Sequence, residues 1–213
     1  MIDDPDAATT LDLTLIPDHV AALLASVAIA ASRHKGAAFR VLDIGGADGG
    51  LHDFVKAALD MRDKRLEWTI VETELYVDLA RRVGDRGISY FTSIDQAGGP
   101  FDFVLFSGVL QYLEDWCSPL RHPAVTAAEH ILISRTSMGD KEIAFLQTVV
   151  YPDKTVRYPG RILRLTDVEA LLTQSHDRFI GWDFSHHLIE LGIQAAPAML
   201  WRRRSQSGEG RSA

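Results

Sequence analysis

The chain has 213 residues, 46% of them hydrophobic and 24% charged, which fits a soluble globular protein and excludes a disordered or collagen-like chain. Its 29 acidic and 22 basic side chains give a formal net charge of −7, which argues against general binding to nucleic-acid phosphates. The single cysteine excludes an internal disulfide, and the sequence lacks the Cys/His spacing of a zinc site. We therefore expect a cytoplasmic protein without a metal.

The length predicts one domain over residues 17–204, between an acidic flexible arm (1–16) and a disordered tail (205–213). Pro17 is well placed in the first turn of a helix, and Gly36 is its stop signal. The apolar run within this N-terminal helix, 20–31, is too short to span a bilayer, so we expect no membrane insertion.

Beyond Gly36, short apolar runs alternate with amphipathic stretches. Strands are predicted at 39–44, 66–71, 88–93, 101–106, 131–134, 179–184 and 198–201, with helices at 49–61, 75–83, 109–113 and 167–174. Buried strands separated by helices indicate an α/β doubly wound, Rossmann-like fold with a mostly parallel sheet of seven strands. The segment 137–165 is long for a connection, and we interpret it as a substrate-recognition insertion or as a short helix with packing aromatics.

The turn after the first strand, 45–50, contains four glycines in six residues. Ligands of open parallel sheets bind outside the carboxyl ends of the strands, and glycine allows the backbone to approach a ligand closely. Asp43 precedes this turn at a position where a buried strand would carry an apolar side chain, so we expect it to brace the turn or a ligand cation. Glu72 ends the second strand, where it could accept hydrogen bonds from an adenosine ribose or simply open a helix.

Asp43, the glycine turn and Glu72 resemble the cofactor motifs of class I S-adenosylmethionine-dependent methyltransferases, with Ala47 in place of the middle glycine. Alanine fits such a close turn if its φ is negative. The stretch 101–113 resembles the family's Asp-led fourth strand and the turn after it. The resemblance implies an antiparallel last strand and S-adenosyl-L-methionine as cofactor. It implies the cofactor-binding residues Asp43, Gly45, Gly46, Ala47, Gly49, Glu72, Ser93, Ile94 and Ser107.

Further along the chain, 107–113, Arg135-Thr136, Gln147 and Tyr158-Pro159 resemble successive signatures of one bacterial group of methyltransferases. That group is often encoded among surface-polysaccharide genes, so the resemblance implies a small-molecule or sugar acceptor methylated on oxygen or nitrogen. Ser134 and Ser137 replace an Asp and a Pro of this pattern, and Arg161 replaces an aromatic residue.

Methyl transfer needs alignment of donor and acceptor, and a base where the acceptor must lose a proton. Candidate catalytic residues at the carboxyl edge are Tyr112, Gln111, Arg135, His186 and His187, and candidate substrate contacts are Gln147, Tyr151 and Tyr158. Each has a structural alternative: Tyr112 as a core aromatic, Arg135 as a counter-charge to nearby carboxylates, and the two histidines as ordinary loop residues. His130 precedes the fifth strand, so we expect it at the opposite edge of the sheet.

Two other functions fit the same residues. Gly45, Ala47 and Gly50 also match a loose dinucleotide fingerprint, which is typical of an NAD(P)-dependent oxidoreductase. Departures from the methyltransferase pattern at Ala47, Ser134 and Ser137 leave open a non-catalytic cofactor-binding protein of the same fold.

Overall fold

The computed structural model describes residues 17–59, 61, 64–84, 86–150, 152–182 and 197–205. The predicted arm at 1–16 lies outside the described residues, as does the tail from 206 onward. Three candidate site residues, Tyr151, His186 and His187, also lie outside them. No helix within the described ranges is long and apolar enough to cross a membrane.

Ten strands and seven α-helices are described, and most lie close to the predicted elements. The strands are β1 (Ala38–Ile44), β2 (Arg65–Val71), β3 (Ile88–Phe91), β4 (Phe103–Ser107), β5 (His130–Ser134), β6 (Met138–Gly139), β7 (Ile143–Val150), β8 (Thr155–Arg164), β9 (His176–Trp182) and β10 (Ala198–Arg203). The helices are α1 (Asp18–Arg33), α2 (Gly50–Ala58), α3 (Glu74–Val83), α4 (Ile94–Ala97), α5 (Cys117–Arg121), α6 (Pro123–Thr126) and α7 (Leu165–Leu172). A single 3-10 turn, Leu110–Tyr112, stands where the sequence predicts a helix.

Seven strands form one sheet in the order β3-β2-β1-β4-β5-β10-β9. The strands from β3 to β5 pair in parallel, whereas β10 is antiparallel to both β5 and β9. This confirms the predicted seven-stranded, mostly parallel α/β fold with an antiparallel last strand. The strand order changes direction at β1 and β4, so the turns that follow these two strands meet at the centre of the carboxyl edge.

Alternate residues of the central strands point to opposite faces, and each face carries its own helices. In β4, Phe103 and Leu105 pack with α1 and α2 on one face, while Val104 and Phe106 pack with α5, α6 and α7 on the other. All four side chains are fully buried, and burying each contributes about 2 kcal/mol to folding. Burial on both faces explains why β4 has no polar side chain before Ser107.

The segment 137–165 forms strands rather than the short helix that one interpretation predicted. β8 pairs with β6 in parallel and with β7 as an antiparallel hairpin, in which Gln147 lies opposite Tyr158. Phe145 packs over Gly160, where a Cβ atom would lie 2.6 Å from its ring. The other interpretation, that this insertion contacts the substrate, stays a prediction.

Candidate active site

The glycine turn crosses the carboxyl edge of β1 with left-handed backbone at every second residue. The φ angles are +74° at Gly45, +49° at Ala47 and +81° at Gly49. Ala47 therefore does not meet the condition of a negative φ under which alanine fits a close turn. The alternation of the turn requires a left-handed residue there, and a side chain in that region costs roughly 1–2 kcal/mol.

Three glycines let this turn lie directly on its neighbours. A Cβ atom at Gly45 would lie 2.5 Å from a methyl group of Val109, and one at Gly46 would lie 2.5 Å from Asp43 Oδ2. At Gly49 a Cβ would lie 2.5 Å from Ile88 Cδ1. The turn is thus fixed by close contacts that no larger residue permits.

Asp43 is completely buried beneath the turn. Trp68 Nε1 donates a hydrogen bond to its Oδ2 atom at 3.3 Å, whereas Oδ1 is buried without a hydrogen-bond partner among the described residues. Burial raises the pKa of Asp43 to about 7, the Trp68 hydrogen bond opposes this, and the nearby Glu72 charge adds to it. Asp43 touches the turn at Gly46 but receives none of the described hydrogen bonds from it.

The side chain of Glu72 accepts a hydrogen bond from the backbone of the turn. Its Oε1 atom accepts from the N–H of Ala47 at 3.3 Å, and its Oε2 atom accepts from the N–H of Thr73 at 2.7 Å. Glu72 therefore stands beside the glycine turn and also precedes α3, where it was expected as a helix-opening acid. Its contact with an adenosine ribose stays a prediction.

The ends of β3 and β4 place the remaining predicted cofactor residues along the same edge. Ser93 caps α4, since its Oγ accepts from the N–H of Gln96 at 3.2 Å, and Ile94 is 9% exposed. Ser107 ends β4, and its hydroxyl accepts a hydrogen bond from Ser134 Oγ at 3.2 Å.

A cavity of about 280 Å³ opens beside the turn. From the predicted set, its walls include Gly45, Gly46, Ala47, Ser107 and Arg135. The sequence analysis missed the residues that close it from the helices, which are Pro17, His19 and Val20 of the α1 region and Leu51 and Phe54 of α2. Leu51 and Phe54 stand three residues apart, the spacing of one helix face, and this pattern could have indicated them.

His19 is half-buried in the wall of this cavity. Burial lowers its pKa, the Arg135 charge lowers it further, and the adjacent Asp18 raises it. His19 is therefore uncharged at neutral pH and can accept a proton.

Arg135 follows β5 with a φ of +56°, so it is in the left-handed region without being a glycine. Its carbonyl accepts a hydrogen bond from Gln111 Nε2 at 3.1 Å. Gln111 is 5% exposed, and its Oε1 atom is buried without a partner among the described residues. Gln111 thus holds the backbone of Arg135 instead of facing solvent.

Tyr112, the next candidate, contacts the β7–β8 hairpin and is not a core residue, since it is 39% exposed. Its hydroxyl donates to Gln147 Oε1 at 2.7 Å, and its ring stands edge-on to Tyr158 with 5.4 Å between centroids. Tyr112, Gln147 and Tyr158 therefore lie together, although the sequence analysis listed the first as a catalytic candidate and the other two as substrate contacts.

His130 lies at the start of β5, at the edge of the sheet opposite the turn, as expected. It is 2% exposed, and burial lowers its pKa to about 4. Within the described ranges no three His, Cys, Asp or Glu side chains are grouped so that they could hold a metal ion.

No family model matches the sequence, and no curated protein matches it. Solved structures do match in fold. A S-adenosylmethionine-dependent methyltransferase from Clostridium acetobutylicum ATCC 824 has a TM-score of 0.57 at 10% identity, over 87% of this chain and 91% of that one. The glycopeptide N-methyltransferase MtfA, complexed with S-adenosyl-L-homocysteine, has a TM-score of 0.53 at 14% identity, over 95% and 99%.

The N-methyltransferase NodS from Bradyrhizobium japonicum WM9, also complexed with S-adenosyl-L-homocysteine, has a TM-score of 0.52 at 16% identity, over 88% of this chain and 86% of that one. These three matches extend over most of both chains. Together with the strand order and the antiparallel β10, they show that this chain has the fold of class I S-adenosylmethionine-dependent methyltransferases.

Proposed function

We propose that this protein binds S-adenosyl-L-methionine at the carboxyl edge of β1, β2 and β4 and transfers its methyl group to a small-molecule or sugar acceptor. The observation that carries the proposal is the position of β10, inserted antiparallel between β5 and β9. A dinucleotide-binding sheet has the order 3-2-1-4-5-6 and no such strand. The fold therefore favours the methyltransferase over the NAD(P)-dependent oxidoreductase, although a fold alone does not fix a reaction.

The residues present fit this cofactor. Gly45, Gly46 and Ala47 line the cavity beside the turn, so the backbone of the turn borders a space with room for a ligand. Asp43, buried under Gly46 with an unpartnered oxygen, would be stabilised in its ionised form by a cationic ligand above the turn. We assign the cofactor contacts to the turn residues 45–49 together with Glu72, Ser93, Ile94 and Ser107.

When bound, the cofactor supplies an electrophilic methyl group, so the protein's task is alignment of the acceptor. Tyr112, Gln147 and Tyr158 form the surface that we assign to the acceptor, because two aromatic rings and an amide suit the apolar faces and hydroxyls of a sugar. His19 is our candidate base among the described residues, since it lines the cavity as a neutral imidazole. The acceptor atom is an oxygen or a nitrogen, and we place the reaction in the cytoplasm.

Isothermal titration calorimetry tests the cofactor assignment. We expect S-adenosylmethionine and S-adenosylhomocysteine to bind and NAD and NADP to give no heat. A Glu72→Ala variant loses both the brace on Ala47 and the ribose contact, and should bind at least about tenfold more weakly. The matched control is Glu114→Ala, an exposed acid that lines no part of the cavity. Binding of NAD without S-adenosylmethionine would refute the proposal.

Transfer of label from methyl-labelled S-adenosylmethionine tests the reaction itself. The acceptor panel should come from the products of neighbouring genes and include sugars and amines. Cofactor binding with no transfer to any acceptor would instead favour the non-catalytic alternative.

A further inference from the structure

The described residues other than glycine that have a left-handed backbone lie in the wall of the cavity. These are Ala47 and Arg135, the two that have a positive φ. Such conformations persist only where the surrounding structure imposes them, and they concentrate at ligand sites. The alternating backbone of the glycine turn explains the positive φ of Ala47. Arg135 is not part of that turn, so its positive φ needs a different explanation.

The surroundings of Arg135 fix its backbone firmly. Gln111 donates to its carbonyl, and Gly108 lies beside it, where an added Cβ would make an ordinary van der Waals contact of 3.4 Å with Arg135 Cβ. Its two neighbours, Ser134 and Thr136, are almost completely buried. The side chain therefore leaves the end of β5 from an anchored backbone, at the mouth of the cavity.

The guanidinium of Arg135 makes no ion pair or hydrogen bond with any residue that the structure describes. By contrast, Arg40 pairs with Glu67 and Arg178 pairs with Glu169. Within the described lining of the cavity Arg135 is the one cation, since His19 is neutral. An unpaired guanidinium is a planar, bidentate receptor for a carboxylate.

We propose that Arg135 and the wall of the cavity formed by Ser107 and α1 are a carboxylate-binding subsite. The inference rests on the proposed function for the source of the ligand, which is either the amino-acid carboxylate of the cofactor or a carboxylate on the acceptor. Arg135 binds the anion, Gln111 positions the backbone of Arg135, and the Ser107 hydroxyl is a further hydrogen-bonding group in the wall.

The first experiment compares S-adenosylhomocysteine with 5′-methylthioadenosine, which lacks the amino-acid group, by calorimetry. Arg135→Gln removes the charge but keeps the backbone requirement, Arg135→Lys keeps the charge, and Arg135→Gly removes the charge in a residue suited to the positive φ. The control, Arg121→Gln, removes an exposed charge of α5 that lines no part of the cavity. If the cofactor is the source, Arg135→Gln and Arg135→Gly weaken S-adenosylhomocysteine binding about tenfold and leave methylthioadenosine unchanged.

The second experiment titrates benzoate and benzamide into the protein, with and without S-adenosylhomocysteine, and follows amide NMR shifts around Arg135 and Ser107. If the carboxylate belongs to the acceptor, benzoate shifts these signals in the wild type and in Arg135→Lys but not in Arg135→Gln. Benzamide shifts them in none of the three proteins. A response to benzoate in a protein that binds no S-adenosylhomocysteine would refute the proposed function and keep the subsite. Equal behaviour of the wild type and Arg135→Gln in both experiments would overturn the subsite.

Discussion

Asp43 beneath the glycine turn makes the stability of this protein fall as the pH rises. Its pKa is about 7 in the folded state against an ordinary value of 3.8. Between these two values the folded protein holds a proton that the unfolded chain has released, so the folded state loses its advantage with increasing pH. Each pKa unit corresponds to about 1.4 kcal/mol, so the full effect is about 4 kcal/mol and is reached above pH 7.

An Asp43→Asn variant keeps the shape of the side chain and the acceptor for Trp68 Nε1, but it carries no charge. We expect the variant to gain stability over the wild type as the pH rises, by about 2.5 kcal/mol between pH 5 and pH 8. The gain arises because the folded wild type keeps Asp43 protonated up to about pH 7, whereas the unfolded chain has already ionised. Above that pH the folded wild type buries a carboxylate whose Oδ1 atom has no described partner.

Urea denaturation at four values between pH 5 and pH 8 measures this difference directly. Subtracting the two curves removes the contributions of all other groups, including the buried histidines. Asp153→Asn makes the same change at an exposed acid and serves as the control for the substitution itself. If the difference between wild type and Asp43→Asn is independent of pH, Asp43 is not held in the unfavourable environment described here.

Three other substitutions have defined outcomes. Ala47→Gly should change the free energy of unfolding by less than about 0.5 kcal/mol, because relief of the positive φ offsets the glycine entropy. The control Ala28→Gly, in the exposed middle of α1, should lower that free energy by about 1 kcal/mol. Equal losses of the two variants in urea titrations would contradict this. Tyr112→Phe removes the hydrogen bond to Gln147 and should lower the free energy of unfolding by about 1 kcal/mol, with faster amide hydrogen exchange in β7. Unchanged exchange would show that this hydrogen bond does not hold the β7–β8 hairpin in place. The imidazole of His130 is buried in its neutral form, so the wild type should lose stability as the pH falls from 6.5 to about 4, and His130→Leu should reduce that loss. An equal loss in the two proteins, measured by urea denaturation over this pH range, would contradict the prediction.

The sheet could be predicted because its strands are buried on both faces. Continuous apolar runs such as that of β4, bounded by turns and helices, are the expected pattern of central parallel strands. The β7–β8 hairpin could not be predicted in the same way. Apolar side chains such as Leu146 and Val150 point to the exposed face of β7, so its sequence has no clean period of two.

The candidate site divides along a similar line. Residues at strand ends, such as Glu72, Ser107 and Arg135, were predicted because all carboxyl ends of parallel strands share one edge. His19 and Phe54 were missed because their place in the cavity depends on how α1 and α2 pack against the sheet. The spacing of Leu51 and Phe54 indicates a shared helix face, but the sequence does not encode which part of the sheet that face covers.

Ala47 shows which structural information a residue type does not carry. A glycine at that position would have signalled left-handed backbone, whereas alanine signals nothing, and so the strain is visible only in the structure. The same holds for Arg135. The backbone N–H of Ala47 donates to Glu72, the backbone carbonyl of Arg135 accepts from Gln111, and both residues line the cavity. Because a left-handed side chain costs roughly 1–2 kcal/mol, the two positions lower the stability of the fold in the same place where a ligand is expected to bind. Glycine in place of Arg135 should leave the stability nearly unchanged, because relief of the positive φ offsets the glycine entropy there as it does at Ala47. An unchanged stability together with a loss of carboxylate binding would therefore separate the two roles of this residue.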